Sequence, residues 1–263
     1  GIIPERGITA IAGHPGCGKS WLMMELARAV ATGSSFLQHD AMESKQANTL
    51  IVDEESGIWE IRRRMELLRF DEHTPIHFYS LREFKLDNDE SVSYLLEICK
   101  EYEIGLIIFD PFAAMHAGVE NSAEEMQAVM GAMQKFTEIG VTVVFIHHHR
   151  KGGVNGNGLS LRGSSAILGR LDSLLVIEKT EDETTQVITL KHTKSRRGKN
   201  AKPIKITITQ QEENAPIELL FAGVASESIL KKDKAKILIL ELLKYEQLLK
   251  DQIIDSLVEE GDV

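Results

Sequence analysis

The run GHPGCGKS at residues 13–20 constrains this chain more than any other feature. It sets Gly13, four variable residues, then Gly18, Lys19 and Ser20, the spacing of a loop that wraps phosphate. Such a loop works only between a strand and a helix. GITAIAG upstream is an apolar run of strand length, and WLMMELARAVATG downstream carries apolar residues at helical spacing up to Gly33. The glycines let the backbone amides of Gly16 to Lys19 curl around an anion. The helix N-terminus adds partial positive charge, and the Lys19 ammonium reaches terminal phosphates. Ser20 supplies a hydroxyl for magnesium. Pro15, Cys17 and Trp21 complete the segment expected to hold ATP. A redox role for Cys17 is the alternative, and it requires exposure of the thiol.

The rest of the chain supplies the sheet that such a loop needs. Apolar strand-like runs recur at Ile8 to Ala12, Thr49 to Val52, Ile76 to Tyr79, Leu106 to Phe109 and Val141 to Ile146. Between them Ile58 to Leu68, Val92 to Tyr102 and Ala123 to Ile139 have helical apolar spacing. Alternating strand and helix predicts an α/β fold: a mainly parallel sheet with helices on both faces and ligands at the carboxyl ends of the strands. From about residue 172, Leu174 to Glu178, Gln186 to Leu190, Ile204 to Ile208 and Ile217 to Phe221 read as consecutive short strands, an antiparallel extension of that sheet. The expected boundaries are an ATPase domain at 1–225 and a helical segment at 226–263. The latter is read either as a winged helix cut short or as a cap packing on the core or a neighbouring subunit.

With 263 residues, 43% of them hydrophobic, the chain can bury one sizeable core with a small appendage. No apolar stretch reaches membrane-spanning length and GIIPERG is unlike a signal peptide, so a cytoplasmic location without membrane contact is expected. The formal net charge of −10 argues against nonspecific attraction to nucleic acid, but its distribution argues the other way. No acidic residue occurs from Ile139 through Leu171, which carries Arg150, Lys151, Arg162 and Arg170, or from Lys191 through Gln211. Anions are therefore expected at particular loops.

Three strand ends carry candidate chemistry. LIIFD at 106–110 ends in Asp110, placed to hold magnesium through water. TLIVDEES at 49–56 ends in three carboxylates. Alternation puts Asp53 and Glu55 on one face and Glu54 on the other, and the general base for an attacking water is one of these. VTVVFI runs into His147, His148 and His149. Neighbouring side chains on a strand diverge and no nearby Cys or carboxylate completes a zinc set, so a polar sensor of terminal phosphate is the better reading. The following loop, KGGVNGNGLSLRG, is cationic and glycine-rich and lacks an aromatic platform, suiting it to a phosphate backbone rather than to bases.

Taken in order, GHPGCGKS, VDEES, LIIFDP, FIHHHRKGG, RGSSAI at 162–167 and TKSRRG at 193–198 resemble the motifs of RecA-superfamily ATPases of the hexameric replicative helicase type. The resemblance is to plasmid RepA helicases and related phage replication ATPases in particular, and it covers residues 1 to about 210. It implies a RecA-like P-loop core in which Lys19 and Ser20 bind phosphate and magnesium, Asp110 supports magnesium and Glu55 activates water. By the same resemblance His148 senses the terminal phosphate, and Lys194 and Arg196 act as a finger in the neighbouring subunit's site. Arg150, Lys151 and Arg162 would contact single-stranded DNA. The implied partners are further copies in a hexameric ring, single-stranded DNA, and a primase or initiator protein. The sequence starts almost directly at the first strand, and the resemblance leads to the expectation of either a compact RepA-like protein or an excised module. Two alternatives remain: a RecA-like switch or recombination mediator in which ATP sets the oligomeric state, and a DNA-binding regulator that works through the C-terminal helices.

Overall fold

A computed structural model describes residues 1–120, 122–148, 165–180, 186–212 and 214–225. His149, Arg150, Lys151, Arg162, the loop joining them and the segment 226–263 lie outside the described residues. The elements are β1 (Ile8–Gly13), α1 (Lys19–Thr32), β2 (Asn48–Asp53), α2 (Ile58–Leu67), β3 (Ile76–Ser80), α3 (Asp89–Glu101) and β4 (Ile104–Asp110). They continue with α4 (Ala123–Glu138), β5 (Thr142–His148), α5 (Ser165–Arg170), β6 (Ser173–Thr180), β7 (Gln186–Ser195), β8 (Ile204–Gln210) and β9 (Ile217–Val224).

Among the described residues the strands form one sheet in the order β3-β2-β4-β5-β1-β6-β7-β8-β9. The first six strands of that order are parallel, and β7 and β8 continue antiparallel. The sequence pattern groups β6 with the antiparallel extension, but β6 pairs parallel to β1 and the reversal begins at β7. A parallel neighbour requires a crossover, and α5, whose six residues are too few to show helical periodicity, lies on that connection.

Strand alternation divides the core into two layers. On one face Ile107, Phe109, Val143 and Phe145 pack with α3 and α4 through Leu95, Met130 and Phe136. On the other Leu106, Ile108, Val144 and Ile146 pack with α1 through Leu22, Met23 and Leu26. Phe136 is fully buried, and its truncation to Ala would cost about 3–5 kcal/mol. Helix ends are set locally: Asn88 and Ser122 accept the Ser91 and Glu125 amides as N-caps, and Gly33 closes α1 in the left-handed region.

Register then decides what meets at the carboxyl edge. Gly13 lies beside His148, and Asp53 lies beside Asp110. Four strand ends thus bring the phosphate loop, two acidic positions and a histidine together. Among the described residues no helix is long and apolar enough to cross a membrane.

Candidate nucleotide site

The phosphate loop is held by contacts that only glycine permits. Gly18 has φ +89°, and a Cβ there would sit 2.8 Å from Ile208 Cδ1; one at Gly13 would sit 2.8 Å from Cys17 Sγ and 2.9 Å from the Ile177 carbonyl oxygen. Pro15 and Gly16 form the exposed tip of the loop. Cys17 is buried, and burial pushes its thiol above the ordinary range. Its sulfur packs under Gly13 as a small apolar group, so the redox alternative fails for want of exposure.

Lys19 opens α1 with 4% of its surface exposed. Its ammonium donates to the Gly13 and His14 carbonyls at 3.0 and 2.7 Å. Burial lowers its pKa, opposed by Cys17, Asp110 and Glu55. One residue on, Ser20 Oγ donates to Asp110 Oδ2 at 3.1 Å.

Asp110 is 5% exposed. Burial raises its pKa to about 6, with Asp53 and Glu55 adding to the rise and Ser20 and Arg64 opposing it. A hydroxyl and a buried carboxylate whose negative charge is disfavoured form a partial cation site, because a divalent ion would restore the ionised form. Among the described residues no group of three or more His, Cys, Asp or Glu could hold a metal ion. That donor set fits magnesium, which takes one or two protein oxygens and fills its sphere with water and phosphate.

The three acids after β2 have separate fates. Asp53 is buried and accepts the Ser56 and Gly57 amides at 3.1 and 2.9 Å and the Ser80 hydroxyl at 3.2 Å, which closes the turn into α2. Glu54 points to the other side and accepts the amides of Arg82, Glu83 and Phe84 at 3.0, 3.1 and 3.1 Å. Glu55 keeps 64% of its side chain exposed and lies 3.9 Å from His148 Nε2. The His148 imidazole is pushed down by burial first, then by Lys19 and His147, with Glu55 opposing.

Arg64 also stands near the site, though the sequence pattern does not mark it. It lies within electrostatic reach of Asp110, is bonded to Glu60 at 2.9 Å and stands 5.9 Å from the half-buried Trp21 ring. On α2 the Glu60–Arg64 spacing reads as an ordinary surface ion pair, and nothing local distinguishes it.

Lys194 and Arg196 lie elsewhere. Lys194 pairs with Leu174, itself beside Ala10, and the Arg196 amide bonds the Asp172 carbonyl below β6. About five residues along the sheet separate the Arg196 level from Gly13, roughly 15 Å at strand rise. The two side chains donate to the Leu168 and Gly169 carbonyls at the end of α5, where a helix terminus favours cations.

A glycine loop between β1 and α1, a hydroxyl–carboxylate pair at its base and a parallel sheet reversed at one side define a RecA-like P-loop ATPase. A family model described as AAA domain (AAA_25) matches residues 1–154, and the chain belongs to that family. Among solved structures it is similar to the KaiC-like protein PH0186 from the hyperthermophilic archaeon Pyrococcus horikoshii OT3. That likeness has a TM-score of 0.58 at 14% identity and covers 83% of this chain and 90% of that one. At that identity it speaks for the fold alone. No curated protein matches the chain.

Proposed function

We propose that this ATPase is a ring motor on single-stranded DNA, a replicative helicase of the RepA type assembled as a hexamer in plasmid or phage replication. Glu55 takes the proton of the attacking water, being the acid of its cluster with a largely exposed carboxylate facing His148. Lys19 and the loop amides hold the phosphates, and His148 registers the terminal one. Ser20 and Asp110 would hold magnesium, which neutralises developing phosphate charge when bound.

The observation that carries the ring is the separation of the Lys194–Arg196 pair from its own phosphate loop along the sheet. Acting as a finger, the pair would serve a neighbour's site rather than its own, and hydrolysis would then depend on assembly. Arg150 and Lys151 follow His148 by two and three positions in sequence, so the sensor and the proposed DNA contact are close along the chain.

Mixing tests the reading. Arg196→Ala should bind ATP like the parent and hydrolyse it poorly. Combined with Lys19→Ala subunits, it should regain activity at interfaces that unite an intact loop with an intact finger. A mixture as inactive as its components, under conditions where subunits exchange, rules out the shared site. ATPase rate with and without single-stranded DNA, measured while the assembly is sized, separates a motor from a DNA-independent switch.

A further inference from the structure

One buried polar group beside the site has no part in the chemistry above. His116 and His147 are 7% and 2% exposed, and among the described residues His116 Nε2 and both ring nitrogens of His147 have no hydrogen-bond partner. Buried nitrogens in that state forfeit their hydration and are uncommon. Both rings turn to one carboxylate: Glu120 Oε2 is 3.6 Å from His147 Nε2, and Oε1 is 3.9 Å from His116 Nε2. Phe112 packs against both imidazoles, with ring centroids 4.7 and 5.8 Å away.

The proton arrangement follows from one contact. His116 Nδ1 lies 2.9 Å from the Gly118 carbonyl, which fixes its proton on Nδ1 and leaves Nε2 a lone pair. Burial also pushes this imidazole toward the neutral form. His147 Nε2 faces the Glu120 carboxylate at 3.6 Å, and a carboxylate favours a proton on the ring nitrogen that faces it. Strand alternation sends His147 to the Phe112 and Phe145 face of β5, and His148, one peptide later, to the face of Glu55 and Lys19.

We propose that Glu120 is a positioning residue for ATP hydrolysis: by holding His147 it fixes the end of β5, and so sets His148 against Glu55 and the phosphate loop. This rests on the reading of Glu55 and His148 as the hydrolytic pair. Without the carboxylate, His147 loses the 3.6 Å contact to Glu120 and the strand end is free to shift. A displacement near an ångström can cost up to about a hundredfold in rate, whereas the phosphate-loop contacts that bind ATP are untouched.

The test uses the full chain, with magnesium and ATP, in steady state and in single turnover so that slow rates are measured. Glu120→Ala should lower kcat about tenfold or more while KM for ATP stays within about twofold. Glu120→Gln, whose amide oxygen still accepts from His147, should recover most of the rate. Placed in a His148→Ala background, Glu120→Ala should cost nothing further, because its effect passes through His148. A Glu120→Ala rate within twofold of the parent, or an equal loss with and without His148, overturns the proposal. A His148→Ala chain that hydrolyses ATP like the parent overturns the underlying reading instead. If Glu120→Ala does not fold, His147→Phe fills the same space without a donor and carries the same expectation.

Discussion

Two adjacent glutamates should fail in opposite ways when each is changed to glutamine. Glu54 accepts three backbone amides, those of Arg82 and Phe84 on Oε1 and that of Glu83 on Oε2. A glutamine can keep the two bonds on one oxygen but turns its amide N–H₂ toward the third N–H, losing a charge-assisted bond and opposing two donors. Bonds to charged groups contribute about 1.5–3 kcal/mol. Partial exposure of Glu54 puts the expected loss near the lower end, at about 2 kcal/mol. For a unit of this size that lowers Tm by roughly 4–8 °C. Among the described residues Glu55 makes no such backbone contacts, and it is mostly exposed, so Glu55→Gln should leave Tm within about a degree. It should nonetheless reduce hydrolysis by about a hundredfold or more, the contribution of a general base.

Thermal unfolding, ATP binding and single-turnover hydrolysis of the two variants decide the matter. The reasoning requires Glu55→Gln to be stable, ATP-binding and inactive, and Glu54→Gln to be less stable and active below its Tm. A stable, inactive Glu54→Gln beside an active Glu55→Gln would show that the base lies one residue earlier, and that the contacts to 82–84 are made or broken during turnover.

Further expectations follow from the same edge. Lys19→Ala should abolish ATP binding in equilibrium titration, since the loop keeps only backbone donors; unchanged affinity would remove the phosphate-loop reading. Gly18→Ala forces an L side chain to φ +89° and 2.8 Å from Ile208 Cδ1. It should cost about 1–3 kcal/mol in chemical denaturation and weaken ATP binding. Asp110, raised from 3.8 to about 6, favours the magnesium-free fold by about 3 kcal/mol below pH 4. That contribution is lost as pH rises through 6, so stability curves of Asp110→Asn and parent should diverge between pH 4 and 6 and run parallel outside it. Neutralising Arg150, Lys151 or Arg162 should weaken single-stranded DNA binding for all sequences and reduce the salt slope by about one; normal binding at several salt concentrations would leave these residues as solvated loop charge.

What the sequence discloses is what one short segment can carry. The phosphate loop is contiguous, so its glycines, Lys19 and Ser20 are legible together, and the strands flanking it show as apolar runs because both faces are buried. The end-of-strand placement of Asp110 is legible for the same reason. Pairing is not: β6 has the same apolar character whether it runs parallel or antiparallel to its neighbour, and only the crossover through α5 decides. Arg64 reaches Asp110 from a different helix, and His116, Glu120 and His147 meet from two separate segments, so no spacing announces either. Alternation does separate Glu54 from Asp53 and Glu55, yet it cannot tell that Asp53 is occupied by the Ser56 and Gly57 amides while Glu55 is not.

The carboxyl edge gathers Asp53, Glu54, Glu55 and Asp110, four acids whose mutual repulsion a fold does not tolerate without compensation. Each is relieved differently. Asp53 and Glu54 give their charge to backbone amides and thereby shape the turn into α2 and the loop at 82–84. Asp110 is buried and driven toward the protonated form. Glu55 keeps most of its side chain in solvent. Both Asp110 and Glu55 act electrostatically on the Lys19 ammonium, and on the proposed reading the first would serve a cation and the second a proton. Binding of a magnesium–nucleotide pair would favour the ionised form of Asp110 and offer the Lys19 ammonium an anion, so ligand and fold should stabilise each other. On this account the site's acidity is not incidental to the sheet edge: the Asp110 charge that makes the free chain less stable above pH 6 is the one a magnesium–nucleotide pair would offset.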